Sequence, residues 1–150
     1  MKLWRIAAER YALDKTCDGA RLYGGRWNPI GYPVLYAGTT IEIAALEKFV
    51  HLAGIAHPPL KLIEITLPAD PELVYLPDDF PADWADLPIS ASAQAFGRQW
   101  IDDAKTLVML VPSAIIPEAK NAVVNTAHPQ YRDVVLQIKR DFSFDGRMFK

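Results

Sequence analysis

The run Val34-Leu35-Tyr36-Ala37 constrains this chain more than any other segment, because it is apolar, short, and closed by Pro33 on one side and Gly38 on the other. A run of that kind reads as a strand with one or both faces buried. A helix is expected directly after it. Thr39-Thr40-Ile41-Glu42 has the spacing of a capping box, in which the threonine hydroxyl and the glutamate side chain satisfy each other's orphan backbone donors. That helix would run to about Leu52, with Gly54 as its stop.

The rest of the chain falls into short elements around this strand and helix. Leu3 to Ile6 reads as a first strand, and the polar stretch Glu9 to Gly19 as a loop with little periodicity. Lys61 to Leu67 alternates, with Ile63, Ile65 and Leu67 on one face, and predicts a half-buried strand ended by Pro68. The proline-rich region from Pro68 to Pro88 is expected to wrap the surface as a solvated connection, with at most one short strand around Val74 and Tyr75. Ser92 to Ala104 carries Ala93, Phe96, Trp100 and Ala104 near helical spacing; Thr106 to Val111 is an apolar strand closed by Pro112. The last strand is Val134 to Ile138. The sum is one α+β domain over residues 1–150, with mixed, mostly antiparallel strands outnumbering a few helices.

At 150 residues and 51% hydrophobic, such a domain can bury a core without metals or crosslinks. A net charge of -2 with both signs interspersed offers no cationic face for a phosphate backbone, which disfavours direct nucleic-acid contact. Cys17 stands alone, so no disulfide framework or zinc set is available and the reducing cytoplasm is the expected compartment. Arg5 interrupts the apolar run that a signal peptide would need, and no stretch approaches the ~20 apolar residues of a membrane span.

Three segments carry candidate chemistry. Gly24-Gly25-Arg26 puts two residues without side chains beside a guanidinium, which suits close backbone approach and a two-pronged grip on phosphate, or equally a tight turn with an arginine paired to a surface carboxylate. Tyr36 is either a core tyrosine whose hydroxyl needs a partner or a stacking platform for a flat ring. Glu47 shares its side of the helix with Ile43, Ala44, Val50 and His51, so its carboxylate either meets a cation from the core, with Arg26 and Arg5 available, or lines a pocket. His51, His57 and His128 are too scattered for a metal site. Ser113 with His128 and Asp133 would make a hydrolase triad, but Val111-Pro112-Ser113-Ala114 lacks the G-x-S-x-G elbow, and the glycines do not form a G-x-G-x-x-G fingerprint.

Taken together, Gly25-Arg26-Trp27-Asn28, Val34-Leu35-Tyr36-Ala37, Ala45-Leu46-Glu47, and Val111-Pro112-Ser113 with Asn121, Asn125, His128 and Pro129 resemble the RES-domain family. The order and spacing agree over nearly the whole chain. The resemblance implies a fold similar to the diphtheria-toxin type of ADP-ribosyltransferase. It also implies the role of toxin in a bacterial toxin-antitoxin pair, restrained by an Xre-type helix-turn-helix antitoxin, in a complex that leaves room for a homodimer. It further implies NAD as substrate, with no bound cofactor. In it, Arg26 would bind the phosphates, Tyr36 would stack on the nicotinamide, Glu47 would be the catalytic carboxylate, and Gly25, Ser113 and Arg5 would line the NAD site. One departure is visible in Asn125-Thr126-Ala127-His128-Pro129, where the family often has Asn-Pro before His-Pro.

Breaking the nicotinamide-ribose bond develops positive charge on the sugar while the ring leaves neutral, so a carboxylate near the ribose is the group the chemistry requires. An arginine on the pyrophosphate supplies positioning. The acceptor stays open: water makes a glycohydrolase, inorganic phosphate a phosphorylase, a protein side chain an ADP-ribosyltransferase. A silent nucleotide-binding module is the remaining alternative.

Overall fold

The structure is a computed structural model that describes residues 1–52, 54 and 56–149. Seven strands form one sheet: β1 (Lys2–Ala8), β2 (Val34–Gly38), β3 (Leu60–Thr66), β4 (Val74–Tyr75), β5 (Val108–Pro112), β6 (Lys120–Asn125) and β7 (Val135–Phe142). Among the described residues three α-helices accompany them, α1 (Asp18–Tyr23), α2 (Ile41–Leu52) and α3 (Ala91–Asp103). The strand order is β4-β5-β6-β2-β1-β3-β7, and every pairing is antiparallel except β4 with β5. The expected class, α+β with mostly antiparallel strands, is the observed one.

The two halves of this sheet meet at a narrow seam. β1 pairs with β3 over seven registered positions, whereas β1 and β2 share a single registered pair, Trp4 with Gly38. The period-two alternation of strands divides the core into two faces. On one face Leu3, Ala7, Leu35, Ile63, Ile65, Val108 and Val124 are closed over by Ala12, Cys17, Leu73, Tyr131 and Val134. The opposite face carries the helices. There α2 lays Ile41, Ala45 and Leu52 on Ile6, Leu60 and Leu62, while α3 lays Ala93, Trp100 and Ile101 on Val34, Met109, Val111 and Val123.

Several local expectations shift. The α2 cap is Thr40, whose hydroxyl accepts from the Ile43 amide at 3.2 Å; Thr39 instead donates to the Lys120 carbonyl at 2.9 Å, tying the helix start to β6. Gly54 has φ +75°, the left-handed backbone expected beyond a helix end. β3 is covered on both faces, because α2 buries Leu62 as well, and Glu64 on the same side is buried and paired with Lys2 at 3.3 Å. α1 begins at the end of the stretch expected to be loop, Glu9 to Gly19, and runs on to Tyr23; it buries none of its residues, so no periodicity announces it. β6 went unread because its Lys-Asn start hides a three-residue apolar centre, Ala122 to Val124. β1 and β7 run longer than expected, and β5 begins at Val108, leaving Thr106 outside the strand, where its hydroxyl accepts from Trp100 Nε1 at 2.8 Å. Among the described residues no helix is long and apolar enough to cross a membrane.

Candidate functional site

Gly38 brings α2 down onto the sheet. A Cβ there would lie 2.7 Å from Ile43 Cγ2 and 2.8 Å from the Ala44 amide nitrogen, so only glycine allows so close a descent. The consequence is the placement of Glu47. Its Oε1 accepts from Ser113 Oγ at 2.7 Å and from Asn121 Nδ2 at 2.7 Å. Asn121 is registered opposite Gly38 and Val111, and Ser113 follows the last residue of β5, so both rise from the helix-bearing face. The Ser113 hydroxyl also accepts from the amides of Ile115 and Ile116 at 3.1 and 3.3 Å, which fixes its direction. Glu47 forms no ion pair among the described residues, so the core salt bridge to an arginine is not what the structure contains.

The Gly25-Arg26-Trp27-Asn28 segment is a second knot on the same face. Gly25 and Asn28 form an isolated antiparallel bridge, and the buried Asn28 amide donates to the carbonyls of Ala20 and Tyr32, each at 2.9 Å. The Tyr36 hydroxyl donates to Asn28 Oδ1 and accepts from the Trp27 amide at 3.1 Å. Burial pushes the Tyr36 phenol far above its ordinary range, with the Trp27 bond and the Arg26 charge only partly opposing. Gly25 is needed for this knot itself: a Cβ there would sit 2.8 Å from the Tyr36 hydroxyl and 2.9 Å from Asn28 Oδ1. α3 closes it from above, where Gln94 Nε2 donates to the Gly25 carbonyl at 3.0 Å and Gly97 lets the Trp27 backbone approach.

Arg26 is anchored by the proline-rich segment. Its Nη1 donates to the carbonyls of Trp84 at 2.6 Å and Asp86 at 3.1 Å, and it pairs with no carboxylate among the described residues. A guanidinium has five N–H donors, and among the described residues no acceptor takes those of Nε and Nη2. Trp84 stacks on Trp27 with centroids 6.1 Å apart, and Phe80 and Phe96 lean on the same ring at 5.4 and 5.9 Å. The segment expected to be a solvated connection is therefore a wall of the site.

The two knots are neighbours. Tyr36 is registered opposite Val123 and Gly38 opposite Asn121, so Tyr36 and Asn121 are diagonal partners on one face, roughly 7–8 Å apart. Arg5 lies elsewhere: it alternates with Leu3 and Ala7 and is registered with Ile63, on the face away from the helices. Burial lowers its pKa against the pull of Cys17, Asp14 and Tyr131. Lys48 is a cation the sequence reading did not single out. It sits on the sheet-facing stripe of α2 with Ile41, Ala45 and Leu52, its ammonium lowered first by burial and then by the charge of Arg5.

The remaining candidates resolve into structure. His128 Nδ1 accepts from the Gln130 amide at 3.1 Å and caps a short turn, while Ser113 is committed to Glu47, so no Ser113-His128-Asp133 triad forms. Asn125 donates to the Ile101 carbonyl at 3.1 Å and accepts from Ala127 at 3.0 Å, binding α3 to β6 and bracing its own loop. Cys17 is a buried free thiol, raised by burial. No group of three His, Cys, Asp or Glu side chains among the described residues is placed to hold a metal ion.

Comparison with known proteins fits this arrangement. A relative in Sphingobium sp. (strain YBL2), named Prs ADP-ribosylating toxin, is 36% identical across 98% of this chain and 96% of its own length. Proteins named Toxin Res are 30% identical in Yersinia enterocolitica, across 99% of both chains, and 36% identical in Pseudomonas putida, across 99% of this chain and all of that one. Among solved structures, the M. tuberculosis MbcT-MbcA toxin-antitoxin complex contains a chain that superposes with a TM-score of 0.69 at 17% identity, covering 99% of this chain and 86% of that one, a likeness of fold. The model of the RES domain matches residues 2–145, and the chain belongs to that family.

Proposed function

We propose that this protein is the toxin of a bacterial toxin-antitoxin pair and that it consumes NAD by breaking the nicotinamide-ribose bond. The observation that carries the reading is the Glu47 carboxylate, which has one oxygen held by Ser113 and Asn121 and the other without a protein partner among the described residues. Such a carboxylate, fixed by neutral donors and not cancelled by a cation, is suited to the positive charge that develops on the ribose. Arg26 would hold the pyrophosphate with its unused donors, and Gly25 keeps the loop close enough to Tyr36 for that grip to be rigid. Tyr36 would offer its ring to the leaving nicotinamide, its hydroxyl being already engaged. Ser113 acts through Glu47. Arg5 would add positive potential from the opposite face of the sheet, alongside Lys48 on the helix-bearing face.

Attack of water at the anomeric carbon would release nicotinamide, ADP-ribose and one proton; attack of inorganic phosphate would give the phosphorylated sugar instead. The name of the Sphingobium relative favours a third acceptor, a protein side chain, which would make the enzyme an ADP-ribosyltransferase. The relatives named as toxins, and the folded likeness to a chain of a toxin-antitoxin complex, support a restraining antitoxin. We take it to be of the Xre helix-turn-helix type, with both proteins in the cytoplasm and the toxin able to dimerise within the complex. Mass spectrometry of NAD incubated with the purified protein, with and without phosphate, separates ADP-ribose, its phosphate and modified protein. Glu47→Gln and Arg26→Ala are expected to abolish nicotinamide release while the fold survives, and unchanged release from both would overturn the proposal.

A further inference from the structure

Asn121 stands out by what its amide leaves undone. Its Nδ2 donates to Glu47 Oε1 at 2.7 Å, yet its Oδ1 is the buried side-chain polar atom without a hydrogen-bond partner among the described residues. The orientation is not arbitrary: turning the amide over would set Oδ1 against a carboxylate oxygen, acceptor against acceptor. The bond to Glu47 therefore decides which end is satisfied, and the carbonyl end is left unmet in the interior, a state that folded proteins seldom tolerate without a functional return. The backbone of β6 holds the residue rigidly, with the Asn121 position registered to Gly38 on one side and Val111 on the other. Ser113, whose own hydroxyl is fixed by two amides, donates to the same Oε1. Two rigid donors converging on one oxygen set the rotation of the carboxylate and direct Oε2 away from both.

We infer that Asn121 is a positioning residue for Glu47, converging with Ser113 on Oε1 so that Oε2 is presented to the reacting ribose. This rests on the reading of Glu47 as the catalytic carboxylate. The role assigned to Asn121 is to hold the carboxylate and not to grip the substrate, so its removal should slow the chemical step and leave NAD binding alone. Two variants test this, each assayed for nicotinamide release with NAD as the variable substrate. In Asn121→Ala, kcat is expected to fall on the order of 10- to 100-fold with KM within about threefold of the parent, the cost of a carboxylate free to rotate. Its melting temperature should stay level or rise, because the unmet carbonyl leaves with the amide. Asn121→Asp keeps the shape and replaces the donor by an acceptor, so it should lose at least as much kcat, again with little change in KM.

A kcat for Asn121→Ala within about twofold of the parent overturns the inference, as does a raised KM with kcat unchanged, or a loss of kcat that follows a fall in melting temperature and vanishes when the assay is cooled. Glu47→Gln, run alongside, separates the two levels of the reading. Full activity in Glu47→Gln removes the catalytic carboxylate and this inference with it. An inactive Glu47→Gln beside a fully active Asn121→Ala removes this inference alone.

Discussion

Gly97 is the position where one methyl group should do the most damage. A Cβ built there would lie 1.7 Å from the Trp27 carbonyl oxygen and 2.5 Å from its carbon, both backbone atoms that cannot swing aside. Relief requires α3 and the Trp27 backbone to separate by more than an ångström. Overpacking of this kind costs about 1–3 kcal/mol, and contact with backbone argues for the upper end. Alanine's better helix propensity returns about 1 kcal/mol, leaving a net loss of roughly 2 kcal/mol. For a domain of this length that is a fall of about 4–8 °C in melting temperature. The displacement acts on the residues flanking Trp27: the Gln94 bond to the Gly25 carbonyl, the Tyr36 and Asn28 contacts, and the Arg26 anchor all belong to the same knot. Since a shift of this size in positioning groups is worth on the order of 100-fold in rate, NAD turnover by Gly97→Ala should fall much further than its stability does. Thermal unfolding followed by calorimetry and a nicotinamide-release assay at a temperature well below the transition measure both. A Gly97→Ala protein that is as stable as the parent and turns NAD over within about twofold of it would show that the close approach is not what seats the arginine.

Other consequences can be checked separately. Tyr36→Phe removes the hydroxyl that serves both the Trp27 amide and Asn28 Oδ1, so it should cost about 1–3 kcal/mol in urea unfolding and raise KM for NAD more than it lowers kcat, as the ring remains. Trp84→Ala removes the ring stacked on Trp27 and loosens the carbonyls that hold Arg26; a raised KM with kcat nearly kept is expected in steady-state kinetics. Thr40→Ala removes the α2 cap and should lower stability by about 1 kcal/mol, with a melting temperature lower by about 2–4 °C. Burial raises the Cys17 thiol above its ordinary value of 9.0, so the native state holds that proton more tightly than the unfolded chain. That contribution to stability is complete below the unfolded value and is lost as pH rises through the folded one; melting temperatures measured upward from pH 9 should decline, and less steeply in Cys17→Ala.

What could be read without the structure was local. The strand at Val34–Gly38 and the helix after it announced themselves by a bounded apolar run and a threonine at the cap, although the cap fell one residue later than the capping-box spacing suggested. That Glu47 shares a side of α2 with the buried Ile43 and Ala44 followed from 100° geometry, whereas Val50 and His51, expected on the same side, are exposed. The partners of Glu47 did not follow, because Ser113 and Asn121 are 66 and 74 residues away along the chain and meet it only through the order of the sheet. β6, which supplies Asn121 and stands between β5 and β2, has a polar start that conceals a central strand.

The site was legible as a set of residue types and illegible as a division of labour, and the reason is the nature of the contacts. Arg26 is held by two backbone carbonyls, a contact that any sequence in the 84–86 stretch can provide and that no pattern in it reveals. The aromatic residues there were the available signal: Phe80 and Trp84 in a proline-rich stretch with no periodicity of its own have no reason to be exposed, and each finds Trp27. Tyr36 and Gly25, each open in the sequence to a structural or a ligand-facing role, prove to depend on each other, since the hydroxyl occupies the space that a side chain at Gly25 would need. Apart from the face of the Tyr36 ring, what they contribute passes through the rigidity of the loop between them. A substitution at either should therefore disturb Arg26 before it disturbs Glu47, whose own restraints come from β5 and β6 and share no hydrogen bond with that loop.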